Sequence, residues 1–200
     1  MTLPVVISLI DEDKLKIEPV DSFKTLRYNH KHIENLQLSA NKEVILKGIR
    51  GNSLEIIAEI ETQNTLMLEI NLLKSINKEE FTRILFFKRS GYPNRGRISN
   101  LPEWHPDSVI SIDNSYSSLS SDVIKRPSDT ASFTLAEGET LKLHIFIDRS
   151  IIEIFINTRQ RIVIRVYPTL KEAVEISFYS HGQPSLIKSL DAWQMKSIWE

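Results

Sequence analysis

Two carboxylates in the C-terminal half are, by residue type, the groups best suited to acid–base chemistry. Asp148 and Glu153 lie five positions apart in an apolar run that is typical of β-structure. Residues an odd number apart on one strand point to opposite faces, and five steps along a strand span roughly 16 Å. A general acid and a general base must both reach one substrate. Unless the chain bends sharply between them, the two carboxylates therefore have structural roles.

A histidine pair is the second group with chemical potential, because imidazole nitrogens bind transition metals. His30 and His32 would point to the same side of an extended chain. Residues 29–32 are predicted to be a connection that follows a short helix beginning at Asp21, and the sequence suggests no third ligand. The expectation is a solvated pair, with no metal and no other cofactor.

A long irregular stretch, residues 91–106, contains three prolines and two glycines and exceeds the length of a hairpin turn. Such loops are typically functional or contact another domain. Tyr92, Trp104 and Tyr116 are the candidates for stacking on sugar rings. Residues 81–102 carry five basic side chains and no acidic one, which fits either a solvated loop or a surface that faces an acidic partner.

An apolar alternation between residues 151 and 166 predicts a β-hairpin. Isoleucines at every second position of both arms would share one face if the turn is formed by residues 158–160. This register places Glu153 opposite Arg165 on the other face, where opposite charges attract. Glu153 and Arg165 are therefore predicted to be a structural ion pair.

Composition is that of an ordinary globular chain, with 41% hydrophobic and 26% charged residues. The 25 basic and 26 acidic residues nearly cancel, so no strong field favours nucleic acid or an anionic membrane. The absence of cysteine excludes disulfides and thiolate metal sites within these residues. No apolar run has the roughly 20 residues of a membrane span. No signal peptide is expected, and the compartment stays open.

The order of predicted elements favours an all-β fold. Short alternating runs separated by turn residues recur along the chain, and Leu54, Ile56, Ala58 and Ile60 form a half-buried example. Helical periodicity is almost absent. The prediction is a two-sheet antiparallel β-sandwich of the jelly-roll or concanavalin-like kind, with one short N-terminal helix.

Several segments together resemble the C-terminal β-sandwich domain of glycoside hydrolase family 32, the invertases, levanases and inulinases. Residues 148–155 are similar to the family's Asp-Arg/His-Ser-hydrophobic-hydrophobic-Glu-hydrophobic-Phe run, and Arg-Val-Tyr-Pro follows at residues 165–168. Residues 112–119 resemble an Asp-x-x-x-Ser-Ser-Leu strand and turn, and residues 189–195 resemble the closing strand. Residues 1–30 look like the segment that leaves the catalytic propeller, and residues 31–200 like the sandwich.

The resemblance implies an accessory domain without an active site. The family's catalytic carboxylates lie on the propeller in Asn-Asp-Pro, Arg-Asp-Pro and Glu-Cys segments, and none of these occurs here. The expected role is to stabilise the propeller of the same enzyme and to mediate domain or subunit contacts, with a homodimer as a further expectation. The alternatives are a carbohydrate-binding module and a free-standing enzyme that uses Asp148 or Glu153.

Overall fold

The computed structural model describes residues 2–12, 14–62, 65–88 and 108–198. One 3₁₀ helix spans Asp21–Leu26, where the short N-terminal helix was predicted. No helix in these ranges has the length and apolar character needed to cross a bilayer. The strands are β1 (Val5–Asp11), β2 (Lys14–Pro19), β3 (Arg27–Leu38), β4 (Glu43–Arg50), β5 (Ser53–Glu61), β6 (Met67–Lys74), β7 (Thr82–Phe87), β8 (Ser108–Asp113), β9 (Asp129–Phe133), β10 (Leu141–Asp148), β11 (Ile151–Ile156), β12 (Gln160–Arg165), β13 (Glu175–His181) and β14 (Ser185–Met195).

Two six-stranded antiparallel sheets form a sandwich, which confirms the predicted fold class. Sheet I has the strand order β12-β11-β10-β5-β14-β3, and sheet II has the order β4-β13-β6-β7-β8-β9. Strands β1 and β2 form a separate hairpin. Sheet I is built largely from partners distant in sequence, since β5 lies between β10 and β14.

The core forms where alternate residues of both sheets face each other. In β5, Leu54, Ile56, Ala58 and Ile60 are each at most 2% exposed, as the alternation predicts. Antiparallel strands that pack on one side bury every second side chain in this way. The outer face of sheet I is also partly covered, because Glu55 of β5 is only 1% exposed.

Strand β3 is the element that the sequence pattern missed. The residues expected to be a connection lie inside it, and it begins at Arg27, four residues before the expected start of the sandwich. Arg27 and Tyr28 already pair with Met195 and Gln194 of β14. As an edge strand with mostly exposed side chains, β3 has no continuous apolar alternation to signal it.

The β11–β12 hairpin forms, but its predicted register was wrong by two residues. Ile154 lies opposite Ile162, and Glu153 lies opposite Val163 and not Arg165. Both registers keep the isoleucines on the core face, because only an odd slip moves them to the other side. The turn decides between the two, since Asn157 and Thr158 adopt φ of 46° and 56°.

Asn157 fixes this turn against the neighbouring strand. Its Oδ1 accepts the Lys142 N–H at 2.9 Å, and its Nδ2 donates to the Thr140 carbonyl at 2.9 Å. The Arg159 N–H closes the turn on the Ile156 carbonyl at 2.9 Å. Asparagine adopts the left-handed conformation more readily than most residues, so the turn forms at residues 157–159.

The shifted register gives Glu153 a different cationic partner. Arg161 binds its Oε1 through Nε at 2.6 Å and through Nη2 at 2.5 Å. Arg165 instead donates to the Tyr167 hydroxyl at 3.3 Å. Because Glu153 is 1% exposed, the bound guanidinium compensates the cost of burying its charge.

A double-mutant cycle measures this pairing. We expect Glu153→Gln and Arg161→Gln each to lower the free energy of unfolding, and the double variant to lose less than their sum. A coupling energy above about 1 kcal/mol is expected for a largely buried ion pair. Urea denaturation at pH 7 supplies the four stabilities.

Arg165→Gln serves as the matched control for that cycle. The changes in free energy of unfolding caused by Arg165→Gln and Glu153→Gln should add to within about 0.5 kcal/mol, as is usual for residues that share no contact. Coupling of Glu153 to Arg165, together with additivity between Glu153 and Arg161, would contradict the observed register and support the one predicted from the sequence.

Candidate interface

The N-terminal hairpin of β1 and β2 carries large apolar side chains that are exposed to solvent. Val6, Ile7, Leu9, Ile10 and Leu15 are each more than half exposed, and they lie on both faces of β1 and β2. An isolated two-stranded hairpin is at best marginally stable in water. Exposed apolar side chains grouped on one hairpin in this way are characteristic of a contact with another protein surface.

Backbone hydrogen bonds hold the base of this hairpin against sheet I. The Ile17 N–H donates to the Thr158 carbonyl at 2.7 Å, in the turn between β11 and β12. The Leu3 N–H donates to Glu153 Oε2 at 3.1 Å, and Arg161 Nη2 donates to the Leu3 carbonyl at 3.0 Å. The Glu153–Arg161 pair therefore fixes the point where the chain enters the hairpin.

A second buried carboxylate anchors the start of β3. Arg27 binds Glu55 with two parallel bonds, from Nε to Oε2 at 2.7 Å and from Nη2 to Oε1 at 2.6 Å. His144 Nε2 lies 2.6 Å from the same Oε1. The Arg27 guanidinium also stacks on the Trp193 ring, 4.0 Å from its centroid. This geometry holds Glu55, Arg27 and His144 as one rigid cluster.

The electrostatics of this cluster favour an ionised Glu55. Burial raises the pKa of the carboxyl group, but the hydrogen bonds from Arg27 and His144 and their charges outweigh burial, so the pKa is lower than usual. A general acid in a glycosidase needs the opposite, a carboxyl group whose pKa is raised so that it carries a proton at working pH. Glu55 is therefore suited to structural anchoring and not to proton donation.

A cleft of about 620 Å³ lies between the N-terminal segment and the outer face of sheet I. Phe23, Phe146 and Phe155 line its wall. The ring centroid of Phe146 lies 6.1 Å from that of Phe23 and 6.2 Å from that of Phe155. Two other carboxylates of the cleft are paired with lysines: Glu18 with Lys16 at 2.7 Å and Asp21 with Lys24 at 2.6 Å. The cleft thus combines an apolar wall with neutralised acids, which suits packing better than hydrolysis.

The two carboxylates first considered for chemistry do not lie where a continuous strand would place them. Asp148 ends β10 and Glu153 lies in β11, because the chain reverses at Arg149, whose φ is 52°. The prediction of opposite faces was wrong, since the reversal puts both on the outer face of sheet I. Glu153 is nonetheless enclosed by Arg161 and Leu3, whereas Asp148 is exposed.

One of the three aromatic candidates for sugar contact lies within the described residues. Tyr116 is 50% exposed, and one face of its ring stacks on Phe81 with centroids 4.9 Å apart. The Arg83 guanidinium lies over the same ring, with its Cζ 5.6 Å from the ring centroid. Tyr92 and Trp104 lie outside the described residues, so their relation to Tyr116 stays a prediction.

The histidine pair has a neighbour that sequence reasoning did not find. His30 Nε2 lies 2.7 Å from Asp191 Oδ1, and His32 Nδ1 lies 2.8 Å from the same oxygen. Asp191 comes from β14, directly opposite His32, and is 159 positions away in sequence. Hydrogen bonds that the carboxylates of Glu34 and then Asp191 accept raise the pKa of His32. Only the pairing of β3 with β14 brings the three residues together.

Comparison with known proteins agrees with the fold and with this arrangement of segments. A family model described as "Glycosyl hydrolases family 32 C terminal" matches residues 22–194. The chain belongs to this family. The match begins after the N-terminal hairpin and covers both sheets of the sandwich, which confirms the resemblance noted in the sequence.

Two curated relatives each align with 90% of this chain. The acid beta-fructofuranosidase 2, vacuolar, of a Rosa hybrid cultivar is 29% identical, and the levanase of Bacillus subtilis (strain 168) is 24% identical. The domain spans only 31% and 24% of their lengths. It therefore corresponds to less than a third of each relative.

Solved structures share the fold over the hairpin as well as the sandwich. The fructan 1-exohydrolase IIa from Cichorium intybus matches 98% of this domain with a TM-score of 0.81 and 19% identity, over 41% of its own chain. The exo-inulinase from Aspergillus awamori matches 99% with a TM-score of 0.73 and 16% identity, over 36% of its chain. The fold is thus shared with both of these structures.

The Glu55 cluster makes a prediction about pH. A carboxyl group whose pKa is lowered by folding adds stability above its unfolded pKa of about 4.3, and this stability is lost as pH falls toward the folded pKa. We expect Glu55→Gln to be less stable than wild type at pH 7 and to show a shallower loss of stability between pH 5 and pH 3. Urea denaturation across this range measures both.

Glu61→Gln is the matched control, because Glu61 is an exposed carboxyl group on the same strand. Its variant should follow the pH dependence of wild type. An unchanged slope in Glu55→Gln, or an equal change in Glu61→Gln, would contradict the lowered pKa of Glu55.

Proposed function

We propose that this chain is the non-catalytic C-terminal sandwich of a fructoside-hydrolysing enzyme and that it stabilises the catalytic propeller by packing against it. The observation that carries the proposal is the apolar N-terminal hairpin, whose five large side chains are more than half exposed. Their burial by a neighbouring domain would contribute roughly 25 cal/mol for each Å² removed from water.

The position of the hairpin supports the propeller as its partner. Residues 1–21 precede the matched family region, and residues 1–30 were predicted to resemble the segment that leaves the propeller. The hairpin would extend the contact, while the Glu55 and Glu153 pairs keep it in place on the sandwich. Interfaces between domains of one chain commonly bury 600–1,500 Å².

Two observations support a role without catalysis. The buried carboxylates Glu55 and Glu153 are each bound by an arginine, and Glu153 is enclosed by Leu3 as well. The resemblance places the reacting carboxylates of the family on the propeller. The substrates of the parent enzyme would be fructosides such as sucrose, levan or inulin, with the sandwich contributing stability.

Carbohydrate binding is the alternative function, and the exposed ring of Tyr116 supports it. Phe81 braces one face of this ring. A sugar would stack on the other face, with Tyr92 and Trp104 as further contacts. A Tyr116→Ala variant that loses affinity for inulin or levan, while keeping its stability, would favour this alternative.

A binding experiment tests the interface. The chain would be mixed with a separately expressed family 32 propeller and analysed by size-exclusion chromatography and thermal unfolding of the propeller. We expect co-elution and a stabilised propeller, by about 2.7 kcal/mol when the sandwich is present at 100 times its dissociation constant. Ile7→Lys with Leu9→Lys should abolish both effects. Ile124→Lys, at a residue 83% exposed and away from the hairpin, is the control.

Assays on sucrose, inulin and levan accompany the binding experiment. We expect no turnover by the chain alone. Turnover that disappears in Asp148→Ala or Glu153→Ala would contradict the accessory role. Dimerisation of the isolated wild type, lost in the Ile7→Lys and Leu9→Lys variant, would instead identify a second copy as the occupant of the hairpin surface.

A further inference from the structure

We propose that His30, His32 and Asp191 form a binding site for a transition-metal ion of the Zn²⁺ or Cu²⁺ type on the outer face of sheet I. Each residue offers one ligand atom, and these atoms all lie within 4.8 Å of one another. Two imidazole nitrogens and one carboxylate oxygen form a common protein donor set for such ions.

The three ligand atoms need only small movements to bind a metal ion. Ligand bonds of about 2.0–2.1 Å in a tetrahedral site set the ligand atoms about 3.4 Å apart. The contacts of His30 and His32 with Asp191 measure 2.7 and 2.8 Å, so they would open by about 0.7 and 0.6 Å. The two histidine nitrogens lie within 4.8 Å of each other, so they would approach by at most about 1.4 Å. All three side chains are at least 29% exposed, which leaves room for this change.

The backbone of the two strands places these residues on one side. His32 and Asp191 are directly opposite in the β3–β14 pairing. The pairing shifts register between Ala192 and Gln194, and Asn29 on the facing strand adopts a φ of 50°. Bulges of this kind redirect side chains and are enriched next to functional sites. Here the irregularity lies beside His30.

Neighbouring groups orient both imidazoles. The His30 ring stacks on Trp193 with an interplanar angle of 11° and centroids 4.8 Å apart. Glu34 Oε1 lies 3.0 Å from His32 Nε2, the nitrogen that faces away from Asp191. A carboxylate that binds the remote nitrogen of a ligating histidine fixes its orientation and raises its basicity. Glu34 would thus hold Nδ1 of His32 toward the metal.

The donor set also determines which ions should bind. Nitrogen ligands favour Cu²⁺ and Zn²⁺ over Ca²⁺ and Mg²⁺, which prefer oxygen ligands. Three protein ligands leave a fourth position open to water or to a group from a partner. The alternative is an ion-paired cluster in which Asp191 only accepts hydrogen bonds from the two histidines. Metal titration distinguishes this cluster from a metal site.

Metal titration of the tag-free chain tests the site. We expect Zn²⁺, measured by competition with a chromophoric chelator at pH 7, to bind with one ion per chain, and Ca²⁺ not to compete. His30→Gln, His32→Gln and Asp191→Asn should each weaken Zn²⁺ binding by more than tenfold. Glu34→Gln should weaken it by about tenfold, because the ligands remain but their support is lost.

Two controls make the result decisive. His181→Gln removes a histidine that also contacts a carboxylate, at Glu69, but lies outside the cluster, and it should leave the affinity unchanged. Thermal unfolding without metal shows that each variant is folded, and electron paramagnetic resonance of the Cu²⁺ complex should show two nitrogen ligands. A wild type that binds Zn²⁺ no more tightly than His32→Gln, or an equal loss in His181→Gln, would overturn the proposal.

Discussion

The position of the N-terminal segment, from Leu3 to Arg27, depends on two carboxylates that are buried on the outer face of sheet I. A carboxylate that is removed from water must be neutralised by a close partner. Glu55 and Glu153 are each 1% exposed, and each is bound by an arginine from another strand. Glu55 thereby holds the start of β3 through Arg27, and Glu153 holds the entry to the hairpin through Leu3. The two pairs thus orient a segment that contributes little to the core.

The same constraint connects the proposed interface and the proposed metal site. Arg27 lies between Glu55 and the ring of Trp193, and His30 also stacks on that ring. The hairpin, the Glu55 cluster and the histidine pair therefore occupy one continuous face. The opposite face of sheet I packs into the core, so the outer face is the side of sheet I that can contact another domain or a ligand. In the two matched structures this fold is a minor part of a longer chain.

Sequence patterns predicted the parts of the structure that core burial determines. The alternation in β5 identified a strand because one of its faces is fully buried. Burial could not fix the register of the β11–β12 hairpin, since Ile154 faces the core in either of two alignments that differ by two residues. The turn at Asn157 made that choice through bonds to a neighbouring strand. Strand β3 and the contact of Asp191 with His32 depend on pairing between distant segments, which no local pattern records.

Hydrogen exchange of the backbone amides tests the central claim most directly, namely that the outer face of sheet I and its hairpin are the surface covered by the catalytic propeller. The isolated chain would be compared with the same chain bound to a family 32 propeller. We expect slower exchange across β1 and β2 on binding, while β6, β7 and β8 of sheet II keep the exchange rates of the free chain. Unchanged exchange in the hairpin, with new protection confined to sheet II, would contradict it.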